Sequence, residues 1–314
     1  MFILKLPKPI LYGSAAAALF GFACITKESL GGPSYNREIQ AQGKVIIVTG
    51  ANTGIGKETA CELAKRGAKV YMACRDMRRC EKAREEIVLE TKNKYVYCRK
   101  CDLSSLESIK EFANTFLKEQ NRLDVLINNA GVMRTPNSKT RDGFEMQLGV
   151  NHLGHFYLTN LLLDRLKASV PSRIINVSSV AHKRGEIDKT DLNSSVKYDA
   201  GKAYAQSKLA NLLFTRELSR KLDGSGVTVN AIHPGIVDTE IIRHMGFFNS
   251  WLATIFIKPL VWPFIKGPRQ GAQTTIFAAL DPKLEKITGK YFVDCKETET
   301  SPAAQDDSTA SWLW

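Results

Sequence analysis

A short apolar run, Lys44-Val45-Ile46-Ile47-Val48, enters Thr49-Gly50-Ala51-Asn52-Thr53-Gly54-Ile55-Gly56 and is followed at once by a helical pattern. No other feature narrows the possible folds as far. Glycines at such a junction let the backbone turn sharply and come close to a pyrophosphate. The free N–H groups at the helix start then present partial positive charge to it. A glycine triplet alone is equally consistent with a strand-to-helix turn that serves no ligand. Strand, loop and helix in this order favour a dinucleotide cradle built from Gly50, Asn52, Thr53, Gly54, Ile55 and Gly56.

The rest of the chain extends that unit. Apolar runs begin at Val45, Lys69, Tyr95, Leu123, Arg173, Val227 and Lys290, with amphipathic stretches between them. Strands alternating with helices predict a parallel sheet covered on both faces, with right-handed crossovers. The expected fold is α/β, a single doubly wound Rossmann domain with a seven-stranded parallel sheet over residues 43–295. No internal repeat suggests a solenoid. Residues 28–42 read as a linker, and the polar, aperiodic residues 296–314 read as a surface tail.

The formal net charge is +12, which raises nucleic acid, an acidic membrane surface or a phosphorylated cofactor as partners. The basic residues are scattered over amphipathic elements, with no arginine-rich tract interleaved with aromatics, so no nucleic-acid partner is expected. The seven cysteines show no secreted-domain framework and suit a reducing compartment. Cys98 and Cys101 form a C-x-x-C inside a strand, where residues three apart face opposite ways. His152 and His155 have no second cluster to complete a metal site, so no metal is expected.

Residues 10–25 carry no charge and are mostly apolar, between Lys5 and Lys8 on one side and Lys27 on the other. A helix of that length rises roughly 24 Å against a hydrocarbon core of about 30 Å. A signal anchor, a cleaved signal peptide and a soluble amphipathic helix all compete for this stretch. The alanines that resemble a cleavage site lie inside the apolar run, and the cysteines argue against secretion, so residues 1–27 are expected to be a membrane-anchor helix.

The second strand ends Tyr71-Met72-Ala73-Cys74-Arg75. An acidic residue there would bind the ribose 2′-hydroxyl of NAD, and Cys74 does not fill that role. Arg75 can pair with a 2′-phosphate, and Lys57 beside the loop adds charge. Asp76 keeps NAD(H) as the alternative to the expected NADP(H).

Taken together, Thr49-Gly50-x-x-x-Gly54-Ile55-Gly56, Asn128-Asn129-Ala130-Gly131, Asn151, Ser179, Tyr204-x-x-x-Lys208 and Pro234-Gly235 resemble the ordered motifs of the short-chain dehydrogenases/reductases over roughly residues 43–293. The resemblance implies a catalytic set of Asn151, Ser179, Tyr204 and Lys208. Tyr204 and Lys208, four apart on a predicted helix, share a face. The resemblance makes Tyr204 the general acid in carbonyl reduction and the base in alcohol oxidation. The Lys208 ammonium and the nicotinamide positive charge would favour phenolate and lower the phenol's pKa. Ser179 would hydrogen-bond the substrate oxygen, Ser178 would pack or bond backbone, and Asn151 would hold a water linking Lys208 to solvent.

By the same resemblance, Asp102 and Leu103 contact the adenine, and Asn129, Ala130 and Gly131 line the cofactor. Pro234, Gly235, Val237 and Thr239 hold the nicotinamide end, as Tyr204 and Lys208 do at the ribose.

The stretches Phe144-Glu145-Met146-Gln147, Asn151-His152-Leu153-Gly154-His155-Phe156 and Ser207-Lys208-Leu209-Ala210-Asn211 resemble the retinol dehydrogenase branch. That branch implies an NADPH-dependent reductase of a lipophilic aldehyde such as all-trans retinal. The aromatics Phe247, Phe248, Trp251, Phe256, Trp262 and Phe264 would form an apolar lid. A steroid or other lipid carbonyl reductase and a catalytically silent cofactor sensor are the alternatives. The resemblance also implies membrane association, at the mitochondrial inner membrane or the endoplasmic reticulum, and admits a homodimer. Residues 1–27 lack acids, as a mitochondrial presequence does, and also lack arginine, as one does not.

Overall fold

The computed structural model describes residues 38–237 and 265–314, together with residues 21, 32, 34 and 35. Apart from Gly21, the expected membrane anchor lies outside the described residues, as do Thr239 and the aromatic lid. Among the described residues no helix is long and apolar enough to cross a membrane.

Eight strands form one sheet in the order β3-β2-β1-β4-β5-β6-β7-β8. They are β1 (Val45–Thr49), β2 (Lys69–Cys74), β3 (Val96–Lys100), β4 (Val125–Asn128), β5 (Ser172–Val177), β6 (Val227–His233), β7 (Tyr291–Val293) and β8 (Lys296–Glu297). Strands β1 to β7 pair in parallel. The order reverses between β1 and β4, the topological switch point at which doubly wound sheets bind ligands beyond their carboxyl ends.

The expected seven-stranded sheet needs one correction. A short eighth strand pairs antiparallel with β7. Asp294 and Cys295 join the two at φ 51° and 58°, the positive-φ pair that a two-residue hairpin turn requires.

Strand alternation divides the core between the two faces of the sheet. Ile46 and Val48 of β1 join one cluster, with Ala60 and Leu63 of α1 (Gly54–Lys65), Ile87 of α2 (Met77–Thr91) and Ile276 of α6 (Pro268–Leu280). Val45 and Ile47 join the other, with Phe112 of α3 (Leu106–Glu119), Leu158 of α4 (Gly154–Lys167) and Phe214 of α5 (Ala200–Lys221). Each fully buried side chain of this size contributes about 1.5–3 kcal/mol. Cys98 belongs to the first cluster and Cys101 to the second, as the strand period requires. No group of metal-binding side chains occurs among the described residues.

Two segments read as peripheral belong to the packed domain. Within residues 28–42, Tyr35 and Ala41 are buried. The Tyr35 N–H donates to Gln273 Oε1 at 2.8 Å, and its ring meets Phe277 edge-on at 5.7 Å. The expected surface tail is folded as well. After β8 it forms a 3-10 turn (Pro302–Gln305) and α7 (Asp307–Leu313). Ala304 and Ala310 enter a third cluster with Leu209, Leu212 and Leu213 of α5. The Trp314 ring lies 5.2 Å from Phe156 and 6.1 Å from Phe214. A 3-10 turn and a seven-residue helix with two or three apolar contacts are too short to register as periodicity in the sequence.

Candidate active site

The first strand-to-helix turn leaves no room for side chains. Gly50 has φ 65°, and a Cβ there would lie 2.9 Å from the Ala130 Cα. A Cβ at Gly56 would sit 2.4 Å from the Gly50 carbonyl oxygen. Thr53, at the N-cap of α1, makes no side-chain cap bond, so the first-turn N–H groups remain for another acceptor. Thr49 fixes the facing strand end: its Oγ1 accepts from the N–H groups of Asn129 and Ala130, both at 2.9 Å. Asn129 Nδ2 returns a bond to the Thr49 carbonyl at 2.8 Å. Backbone held close with the first helix turn uncapped fits a pyrophosphate.

The groove above this turn is lined by Gly50, Asn52, Thr53, Gly54, Ile55, Gly56, Arg75, Asp102, Leu103, Asn129, Ala130 and Gly131. Pro234, Gly235, Ser179 and Tyr204 do not line it; Ser179 follows β5, Pro234 and Gly235 follow β6, and Tyr204 lies on α5 (Ala200–Lys221). Val237 is buried and bridges to Lys266.

A second cluster adjoins the groove. Asp199 caps α5 by accepting from the N–H groups of Gly201 and Lys202, both at 2.8 Å, which sets the helix phase that carries Tyr204 and Lys208. Lys208 is buried and donates from Nζ to the Val177 carbonyl at 3.1 Å; burial pulls its pKa down to about 8. Its Nζ lies 5.8 Å from the centre of the Tyr204 ring. The Tyr204 phenol faces Ser179; burial raises its pKa, and the Ser179 hydroxyl only partly offsets this. In the protein alone, before any cofactor charge is added, desolvation favours the neutral phenol.

Ser178 donates to the Lys208 carbonyl at 2.8 Å and takes a structural part. Asn151 sits in a π-helical turn (Gly149–Leu153) that leads into α4. Its Oδ1 accepts from the Val132 N–H at 2.8 Å, and its Nδ2 donates to the Val132 carbonyl and to Ser207 Oγ, both at 2.9 Å. Both amide protons are thus used within the protein. A Cβ at Gly131 would lie 3.3 Å from Asn151 Oδ1 and 3.6 Å from Lys208 Nζ, so this groove-lining glycine joins the two clusters.

The model of the family described as short chain dehydrogenase matches residues 44–246. The chain is an oxidoreductase of the short-chain dehydrogenase family. It is 52% identical to human retinol dehydrogenase 13 over 302 residues, covering 96% of this chain and 91% of that protein. To human retinol dehydrogenase 12 it is 56% identical over 276 residues, covering 88% and 85%. Among solved structures it resembles an uncharacterised protein from Mycobacterium paratuberculosis, with a TM-score of 0.72, 36% identity, and 90% and 95% of the two chains covered. It also resembles the Pseudomonas aeruginosa RhlG/NADP active-site complex, with a TM-score of 0.65, 26% identity, and 81% and 95% covered.

In this short-chain dehydrogenase the groove has one further cationic residue, outside the motifs. Arg79 lines it beside Arg75 and Asp76. Asp76 caps α2, its Oδ1 accepting from the Arg79 N–H at 3.1 Å. One helical turn therefore carries Arg79 to the mouth where Arg75 already stands. The signal was present as Asp76 followed by Met77 and a helical pattern, an N-cap that places its third residue at the groove. Lys57 pairs with Glu86, so its charge is already matched.

Proposed function

We propose that the chain is an NADP(H)-dependent reductase of lipophilic aldehydes, with all-trans retinal as the representative substrate. The observation that carries the catalytic part is the Tyr204 phenol, facing Ser179 and kept neutral by burial, on the helix face that also carries Lys208. NADPH, when bound, supplies the hydride. Tyr204 gives its Oη proton to the carbonyl oxygen as negative charge develops there, and Ser179 steadies that oxygen with a hydrogen bond. Lys208 sets a cation beneath the phenol and limits the charge left on Tyr204 after transfer. Asn151 acts through its bonds to Val132 and Ser207, which fix the wall between groove and cluster.

Preference for NADP(H) is supported by Arg75 and Arg79 at the groove and by the engagement of Asp76 in the α2 cap. Two guanidinium groups suit a phosphate dianion better than a neutral ribose hydroxyl. The retinoid assignment draws on the similarity to retinol dehydrogenases 12 and 13 and on the aromatic stretch 247–264. The apolar run 10–25 supports attachment to a membrane of the endoplasmic reticulum or mitochondrion.

Detergent-solubilised protein with all-trans retinal, followed by nicotinamide oxidation with NADPH and NADH in parallel, is expected to turn over with NADPH and little with NADH. No oxidation with either, while NADPH still binds, would remove retinal as the substrate. Arg75→Ala is expected to raise the NADPH KM by about tenfold or more, the loss of one charge-assisted bond, and to move the NADH value less than about twofold. Arg79→Ala should act in the same direction. Equal effects on the two cofactors would show that these arginines do not read the 2′-phosphate.

A further inference from the structure

Asn151 has a second anchor, through its main chain. His155 is 2% exposed, one helical turn beyond it. Its Nδ1 lies 3.0 Å from the Asn151 carbonyl oxygen, and its Nε2 lies 2.9 Å from Thr49 Oγ1. A carbonyl only accepts, so Nδ1 carries the proton. Thr49 Oγ1 already accepts two backbone N–H bonds, from Asn129 and Ala130. Its lone pairs are then filled, and its own proton is directed to Nε2, the Ile127 carbonyl being further away at 3.4 Å. A neutral ring protonated on Nδ1 is the state that satisfies every partner. Burial acts in the same direction and pushes the ring's pKa down to about 3.

We propose that His155 is a positioning residue, a neutral imidazole protonated on Nδ1 that ties the Asn151 backbone to the Thr49 hydroxyl and so locks the π-turn to the strand ends lining the cofactor groove. Three segments meet at this ring: the end of β1 at Thr49, the end of β4 at Asn129 and Ala130, and the π-turn at Asn151. The Asn151 side-chain amide adds the complementary tie, to Val132 of the groove wall and to Ser207 of α5. The two nitrogens hold different things. Nε2 supports the hydroxyl that organises the cofactor side, and Nδ1 supports the backbone of the π-turn that carries Asn151.

The kinetic arm of the test rests on the reductase reading; the spectroscopic arm does not. In the NADPH-loaded protein labelled with 15N-histidine, the His155 ring is identified by the contact of its carbon-bound protons with the Thr49 methyl group. Long-range 15N–1H correlations are expected to show a neutral ring protonated on Nδ1 from about pH 8 to about pH 5. A proton on Nε2, or titration within that range, overturns the proposal whatever the activity. For the kinetic arm, His155→Gln keeps a polar group near the Nε2 position and His155→Asn keeps one near Nδ1. His155→Gln is expected to lower kcat about tenfold at saturating cofactor and to change the NADPH dissociation constant, read by fluorescence titration, less than about threefold. His155→Asn should weight the losses the other way, with the dissociation constant raised about tenfold and the smaller fall in kcat. Losses that follow thermal stability alone, with no split between the two parameters, would reduce His155 to a packing residue.

Discussion

Tyr204→Phe is expected to lower kcat by about three to four orders of magnitude, the upper part of the range for a lost general acid. The substitution keeps the ring and removes only the hydroxyl, so α5 keeps its packing and Lys208 keeps its bond to the Val177 carbonyl. Ser179 still offers a hydrogen bond to the substrate oxygen, but no group remains to complete proton transfer. Tyr204 does not line the groove that holds the cradle glycines, so the NADPH dissociation constant should change by no more than about twofold. Single-turnover rates with retinal and fluorescence titration of NADPH separate the two parameters. A kcat within about tenfold of the parent would place the acid elsewhere and sink the mechanism.

The contrast between what is legible in the chain and what is not follows from how local each signal is. Gly50, Gly54 and Gly56 announce the cradle because the turn needs small residues within one short stretch of chain, and the structure puts Gly50 against Ala130 and Gly56 against Asn129. Tyr204 and Lys208 announce a shared helix face because their spacing is one helical turn. Arg79 was not legible in this way. Its place at the groove depends on Asp76 capping α2, so a residue on the helix flank turns toward a strand end. The part played by His155 is invisible to any pattern, since its proton is fixed by an acceptor four residues back and a hydroxyl at the far end of β1. The burial of Tyr204 is equally invisible in the sequence: spacing shows that it shares a face with Lys208, but only the folded chain shows that desolvation raises the phenol's pKa. The C-terminal segment was taken for a tail because Ala304, Ala310 and Trp314 are too few to make a period, though each finds an apolar partner on α5.

The buried histidines make the fold itself sensitive to acid. Unfolding should become markedly easier between about pH 6.5 and pH 4, before most carboxylates titrate. Burial lowers the pKa of His152 from 6.5 to about 4, of His155 to about 3 and of His233 to about 4, and lowers that of His182 as well. Folded-state values lie below the unfolded value, so below pH 6.5 the unfolded chain binds more protons than the folded one. The stability these rings contribute is complete above that pH and is lost as pH falls toward their folded values. Each fully buried ring adds a slope of about 1.4 kcal/mol per pH unit within its window. Asp199 and Asp307 have pKa values lowered below 3.8 and lose their contributions only at still lower pH, so they do not mask the effect near pH 5. Urea midpoints at about pH 7, 6 and 5 read the slope directly. His152 provides the control, because its ring lies 5.9 Å from Phe214 and 6.3 Å from Phe156, in surroundings that accept an aromatic hydrocarbon. His152→Phe gives up the 3.3 Å contact with Asn211 but also removes one titrating group. It should flatten the slope by about 1.4 kcal/mol per pH unit whatever it does to stability at neutral pH. If the parent slope is flat across this range, these rings are protonated in the folded chain, and the single-tautomer network around His155 fails with them.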